Sequence, residues 1–234
     1  MKLSIIVPVY NEEKTLKEII ERVKNAPFPK NVSREIIVVD DCSTDFSPKI
    51  LSEIEGIKTI RHKANKGKGA AVRAGIEHST GDIILIQDAD LEYDPSYYRK
   101  LLEPILDGKA SVVYGTRLKN YPLRIFGKRK TPLVTHYLGN KLLGFATNIL
   151  YGSRLSDMET GYKVFKRTTI KGIKLTANRF EFEPEITARI LKKGHKIFEV
   201  PIKITPRGYE EGKKITWKDG FVALWTLVKY RFVD

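Results

Sequence analysis

Along the first half of the chain, short β-branched apolar runs alternate with amphipathic stretches. Leu3 to Val9 is such a run and reads as a buried strand. Asn11 then opens a helix in which Leu16, Ile19, Ile20 and Val23 recur at helical spacing. Lys14 stands at its third position, where a capping box would carry Glu, and Pro27 and Pro29 end it. Glu35 to Val39 is a second buried strand that closes at Asp40-Asp41. Ser47 to Ile54 reads as a helix, Ile57 to Arg61 as a strand and Asn65 to Gly69 as a loop. Ala70 to His78 is a further helix, and Ile83 to Ile86 is the fourth strand.

Beyond Asp90 the pattern loosens. Tyr97 to Leu106 is helical and Ala110 to Tyr114 is a strand, followed by a basic segment over 117–132 with few apolar anchors. Tyr137 to Tyr151 and Glu181 to Leu191 are helical patterns, and Lys196 to Thr205 is an edge strand interrupted by Pro201. Lys218 to Phe232 is a final amphipathic helix, aromatic and flanked by bases, with the composition of an interfacial helix. The alternation predicts an α/β fold with a mostly parallel central sheet and helices on both faces. With neither repeat nor linker, the expectation is one domain over 1–234. A nucleotide-binding half would cover 1–120 and an acceptor-side half 121–234.

Asp88-Ala89-Asp90 follows the fourth strand, and a turn there lets two carboxylates spaced i, i+2 converge on a hard cation. Mg²⁺ or Mn²⁺ held by few protein ligands is a common way to bind a diphosphate. Tyr10 and Asp40-Asp41 also end predicted strands, so polar residues gather on the rim where such sheets bind ligands. The net charge of +14 favours anionic partners: nucleic acid, an anionic membrane surface or phosphorylated substrates. No apolar stretch reaches the roughly 18 residues of a membrane span, and the N-terminus lacks a signal-peptide core. The single cysteine, Cys42, forms no intrachain disulfide. These features place the protein in the cytoplasm, with any membrane contact peripheral.

Four segments then carry a family resemblance. Val7-Pro8-Val9-Tyr10-Asn11-Glu12, Val38-Val39-Asp40-Asp41-Cys42-Ser43-Thr44-Asp45, Asn65-Lys66-Gly67-Lys68-Gly69 and Asp88-Ala89-Asp90 resemble family 2 glycosyltransferases of the GT-A fold. Asp157-Met158-Glu159-Thr160-Gly161-Tyr162-Lys163 looks like that family's acceptor-side segment. Arg179-Phe180-Glu181-Phe182-Glu183 and Pro206 to Lys214 look like the polyprenyl-phosphate sugar synthases, here without transmembrane helices. The resemblance implies an inverting, metal-dependent transfer of mannose or glucose from GDP-mannose or UDP-glucose to dolichyl or polyprenyl phosphate. Pro8, Tyr10, Glu12, Val38, Asp40, Lys68, Asp88, Ala89, Asp90, Arg207 and Lys213 would bind the nucleotide sugar. Asp88, Asp90 and Glu92 would hold Mg²⁺ or Mn²⁺; the family often has Gln where Glu92 stands.

A lipid monophosphate is already anionic near neutral pH and needs cationic residues more than a base. Arg117 and Arg129 fit that acceptor phosphate, since an Arg fork binds phosphate bidentately. Asp90, Arg117, Asp157 and Glu159 are the catalytic candidates. For a hydroxyl acceptor, Asp157 or Glu159 would be the base, and either residue could instead orient the sugar. Rival readings are a glycosyltransferase acting on a soluble or glycan hydroxyl, a nucleotidylyltransferase, which lacks its Gly-rich signature here, and a basic nucleic-acid binder. The expected partners are a nucleotide sugar, a polyprenyl or dolichyl phosphate and a membrane surface, without nucleic acid.

Overall fold

The computed structural model describes residues 1–119, 134–205 and 217–233. Its sheet has the order β3-β2-β1-β4-β6-β5-β7. The strands are β1 (Lys2–Val9), β2 (Ser33–Asp40), β3 (Lys58–Arg61), β4 (Ile83–Ile86), β5 (Val112–Thr116), β6 (Lys163–Lys166) and β7 (Ile197–Pro201). Parallel pairing joins β1 to β2 and β4, β2 to β3, and β5 to β7. β6 runs antiparallel between β4 and β5, with Ile84 opposite Phe165 and Val113 opposite Val164. The apolar pattern gave no sign of β6, because its four residues, Lys-Val-Phe-Lys, show only two apolar positions.

Alternation along each strand sends side chains into two layers. Leu3, Ile5, Val7, Ile83 and Leu85 pack on one face against α1 (Leu16–Asn25) and α4 (Tyr98–Leu106). Ile6, Ile84 and Ile86 pack on the other against α3 (Lys68–His78) and α7 (Phe182–Lys192). Burying each such side chain is worth about 1.5–3 kcal/mol, which fixes the strand register and so the positions of the strand ends. The short helices α2 (Ser47–Ser52) and α6 (Arg167–Ile170) fill connections. Helices α5 (Val134–Tyr151) and α8 (Trp217–Phe232) pack on one another and on α7, through Leu143, Ala188, Ala223, Leu227 and Tyr230.

Three boundaries correct the sequence reading. Asn11 does not cap α1, whose first residue is Leu16; Asn11 sits in a left-handed turn at φ 53°. Asn tolerates that region, and here its side-chain oxygen accepts the N–H of Thr44 at 2.8 Å, tying the end of β1 to the segment after β2. Lys68 and Gly69 belong to the first turn of α3 instead of a loop. Gly67 (φ 95°) and Gly69 lie so close to the carbonyls of Asn178 and Ala177 that neither has room for a side chain. Finally, β5 runs two residues beyond its expected end, to Thr116, which sets Arg117 directly at a strand terminus.

Candidate active site

A cleft of about 510 Å³ opens at the carboxyl ends of β1, β2, β4 and β5. Its size suits a small-molecule ligand. Pro8, Tyr10 and Glu12 line one end, Asp88, Ala89, Asp90 and Glu92 the rim beyond β4, and Arg117 and Glu159 the far wall. The turn after β4 is braced from beneath. Buried Gln87 donates to the carbonyls of Asp88 and Tyr93 and accepts from the hydroxyls of Tyr98 (2.7 Å) and Tyr162 (2.8 Å). Asp90 accepts the N–H of Glu92 at 3.1 Å, and Leu91 takes a left-handed φ of 62°. The rim carboxylates are therefore presented by a fixed loop.

Two charge clusters border the cleft. Lys68 Nζ lies 2.7 Å from Asp88 and 3.0 Å from Glu183. Burial pulls its pKa down, but the carboxylates of Asp88 and Glu183 override this and hold it well above the ordinary lysine value. Across the cleft, fully buried Asp157 grips Arg117 bidentately, accepting from Nε and Nη2 at 2.7 Å each and from the Arg117 backbone N–H at 2.9 Å. Such a grip fixes both the position and the plane of the guanidinium. Glu159 stands beside this pair with its carboxyl pushed up to about 7, through burial first. Glu183 and Asp157 add to that rise, and Lys163 and Arg117 oppose it. Among the described residues its buried Oε1 has no hydrogen-bond partner.

The family model described as Glycosyl transferase family 2 matches residues 4–173. The chain belongs to this family. It is 30% identical to UDP-N-acetylglucosamine–dolichyl-phosphate N-acetylglucosaminyltransferase of Methanococcus voltae, over 96% of this chain and 94% of that protein. It is also 30% identical to dolichol-phosphate mannosyltransferase of Pyrococcus furiosus, over 91% of this chain but only 59% of that protein. Among solved structures, glucosyl-3-phosphoglycerate synthase of Mycobacterium tuberculosis, in complex with Mn²⁺, UDP and phosphoglyceric acid, matches with a TM-score of 0.73. That match is at 18% identity and covers 100% of this chain and 79% of the other. The fold is therefore GT-A, as the motif order implied, and the protein is a glycosyltransferase.

In this family 2 glycosyltransferase the cleft gathers Pro8, Tyr10, Glu12, Lys68, Asp88, Ala89, Asp90, Glu92, Arg117 and Glu159, all singled out from sequence. Val38, Asp40 and Asp157 lie buried behind it. Asp40 accepts the N–H of Ser43 at 2.9 Å and pairs with Arg61 at 3.0 Å. Its neighbour Asp41 reaches the cleft instead, accepting the backbone N–H groups of Lys66 and Gly67 at 2.9 and 2.6 Å. Arg129, Arg207 and Lys213 lie outside the described residues.

Sequence reasoning named Asp41 among the strand-end carboxylates but chose Asp40 as the ligand, and it did not single out Arg179, Phe180 or Glu183, which also line the cleft, nor Lys163 behind it. Glu183 and Phe180 fall in a segment that resembled the sugar synthases, and that resemblance was the available signal. Among the described residues no three His, Cys, Asp or Glu side chains converge to enclose a metal ion. Asp88 and Asp90 nonetheless suit a cation shared with substrate phosphates, a mode that needs only one or two carboxylates. Asp88 already receives a positive charge, the Lys68 ammonium.

Proposed function

We propose that this glycosyltransferase transfers a hexose from a nucleotide sugar to a polyprenyl or dolichyl phosphate at a membrane surface, in one inverting displacement. The observation that carries the reading is Arg117, pinned by Asp157 in the same cleft as the Asp88–Asp90 rim. An acceptor phosphate needs a cation that holds it without falling onto the rim carboxylates, and a buttressed guanidinium does that. The phosphate oxygen forms the new bond to the anomeric carbon as the bond to the nucleoside diphosphate breaks. Pro8, Tyr10 and Glu12 would take the base and ribose. Asp88 and Asp90 would hold Mg²⁺ or Mn²⁺ together with the substrate phosphates, with Glu92 on the same rim, and the cation would neutralise charge on the departing diphosphate. Arg129 would join Arg117 at the acceptor phosphate, and Arg207 and Lys213 would meet the donor diphosphate. Residues 1–120 would form the donor half and 121–234 the acceptor half of a single domain.

The relatives that act on dolichyl phosphate support the acceptor class, and their names add UDP-N-acetylglucosamine to GDP-mannose and UDP-glucose as donors to test. A second reading, a hydroxyl acceptor, is favoured by Glu159, because a carboxyl near pH 7 in the cleft is suited to general-base work. Labelled hexose offered with dolichyl phosphate and Mn²⁺ separates the two. Label in the organic phase with one of the three donors is the expected result. Nucleotide-dependent binding of Mn²⁺ without any lipid-phase label would overturn the lipid acceptor in favour of a hydroxyl.

A further inference from the structure

Lys68 occupies the first position of α3, and its ammonium contacts the rim carboxylate of Asp88. Its other contact, Glu183, is itself held. Glu183 pairs with Lys163, which is fully buried, donates to the carbonyls of Met158 (3.1 Å) and Thr160 (2.5 Å) and lies over the Tyr114 ring. Four charges thus alternate in a row: Asp88, Lys68, Glu183, Lys163. Each charge in the row has an opposite neighbour, and the deep end cannot shift without unpairing a buried charge. Asp88, Lys68 and Glu183 line the cleft, and Lys163 lies buried behind them.

A divalent cation arriving alone at Asp88 would meet an ammonium already in contact with that carboxylate. Burial strengthens such repulsion. A cation arriving with a nucleoside diphosphate brings negative charge that offers Lys68 a new acceptor, while Glu183 keeps the ammonium within the cleft.

We propose that Lys68 is the resident counter-ion of Asp88, that Glu183 and Lys163 position it there, and that the divalent cation is taken up only together with the nucleoside diphosphate, whose phosphates draw Lys68 off Asp88. This rests on the metal-dependent donor site proposed above. Glu183 and Lys163 are positioning residues in this scheme.

Mn²⁺ binding followed by electron paramagnetic resonance, with and without saturating UDP or GDP, tests it in the full chain. Lys68→Met removes the charge and leaves Glu183 paired with Lys163. Nucleotide-free Mn²⁺ affinity should rise about tenfold or more in this variant, and the tightening caused by nucleotide should shrink by a similar factor. General damage to the fold does not produce a gain of affinity. Glu183→Gln is the second variant and should not reproduce this gain. Without its second contact, Lys68 stays on Asp88, so nucleotide-free Mn²⁺ binding does not rise and nucleotide-dependent uptake weakens.

Equal nucleotide-free Mn²⁺ affinity in wild type and Lys68→Met, with nucleotide-dependent uptake intact in both, would overturn the proposal and leave the donor site standing. Absence of any nucleotide-dependent Mn²⁺ uptake by the wild type would overturn the donor-site reading itself, and the proposal with it.

Discussion

Glu159 concentrates the question of acceptor chemistry in one carboxyl group. Its pKa is pushed from an ordinary 4.5 up to about 7, chiefly by burial. Between those two values the folded protein keeps a proton that the unfolded chain has released. Stability therefore falls as pH rises through this window and stays lower above it. Glu159→Gln should match wild type near pH 4 and exceed it by on the order of 1–3 kcal/mol at pH 8. Urea midpoints at the two pH values check this, and parallel pH profiles for the two proteins would contradict it. The same variant reads the reaction. If a hydroxyl is the acceptor, losing the base costs about 10²-fold or more in turnover; a lipid phosphate acceptor spares most of the rate. Asp157 cannot serve that comparison, because its removal also unpins Arg117 under either reading. Asp88 and Asp90 were legible because they stand beside a strand end in a recognisable motif, and Lys68 because it lies in the Asn65 to Gly69 segment that carried the resemblance. Asp40 and Asp41 were not separable, since a single step along a strand exchanges the core for the cleft. Lys163 and Glu183 were hidden for another reason: a buried ion pair is written in the same letters as a solvated one.

Helices α5 and α8 present exposed apolar side chains. Leu138, Leu142, Phe145 and Ile149 repeat at helical spacing on α5 and are all more than half exposed. Phe221 and Trp225, both 67% exposed, do the same on α8, which packs alongside. Among the described residues no helix is long and apolar enough to cross a membrane. An exposed apolar face with Trp and flanking bases such as Lys229 and Arg231 instead suits a helix pair lying on a lipid surface. The double substitution Phe145→Ser with Trp225→Ser should lower binding to anionic vesicles at least tenfold and leave the melting temperature within a few degrees. Each aromatic returned to water forfeits about 1.5–3 kcal/mol, and 1.4 kcal/mol is tenfold. Unchanged sedimentation with vesicles would remove this face from membrane contact. The α8 pattern was readable because its aromatics and bases alternate within one run. The partner stripe on α5 was not, since periodicity alone does not say which face a neighbour covers. The short antiparallel β6 was lost because two apolar residues between lysines carry too little pattern to mark a strand.

The cleft is assembled from parts remote in sequence: Tyr10 after β1, Asp41 after β2, Lys68 on α3, Asp90 after β4, Arg117 after β5 and Glu183 on α7. A ligand that bridges them binds the folded chain and has no counterpart site in the unfolded one, so its affinity becomes stability of the whole molecule. Nucleoside diphosphate with Mn²⁺ at a hundred times its dissociation constant should add about 2.7 kcal/mol, which for a chain of this size is about 5–11 °C in melting temperature. UDP and GDP compared side by side name the donor base, because only the one that the Pro8–Tyr10–Glu12 end accepts gives the full shift. Nucleotide without Mn²⁺ should give a smaller shift, and Asp90→Asn should lose the difference between the two conditions while melting normally on its own. If Mn²⁺ adds nothing to the nucleotide shift in wild type, the rim carboxylates do not share a cation with the diphosphate. The donor would then be held by Lys68 and the cleft walls, since Lys68 already sets a positive charge against that rim, between Asp88 and Glu183.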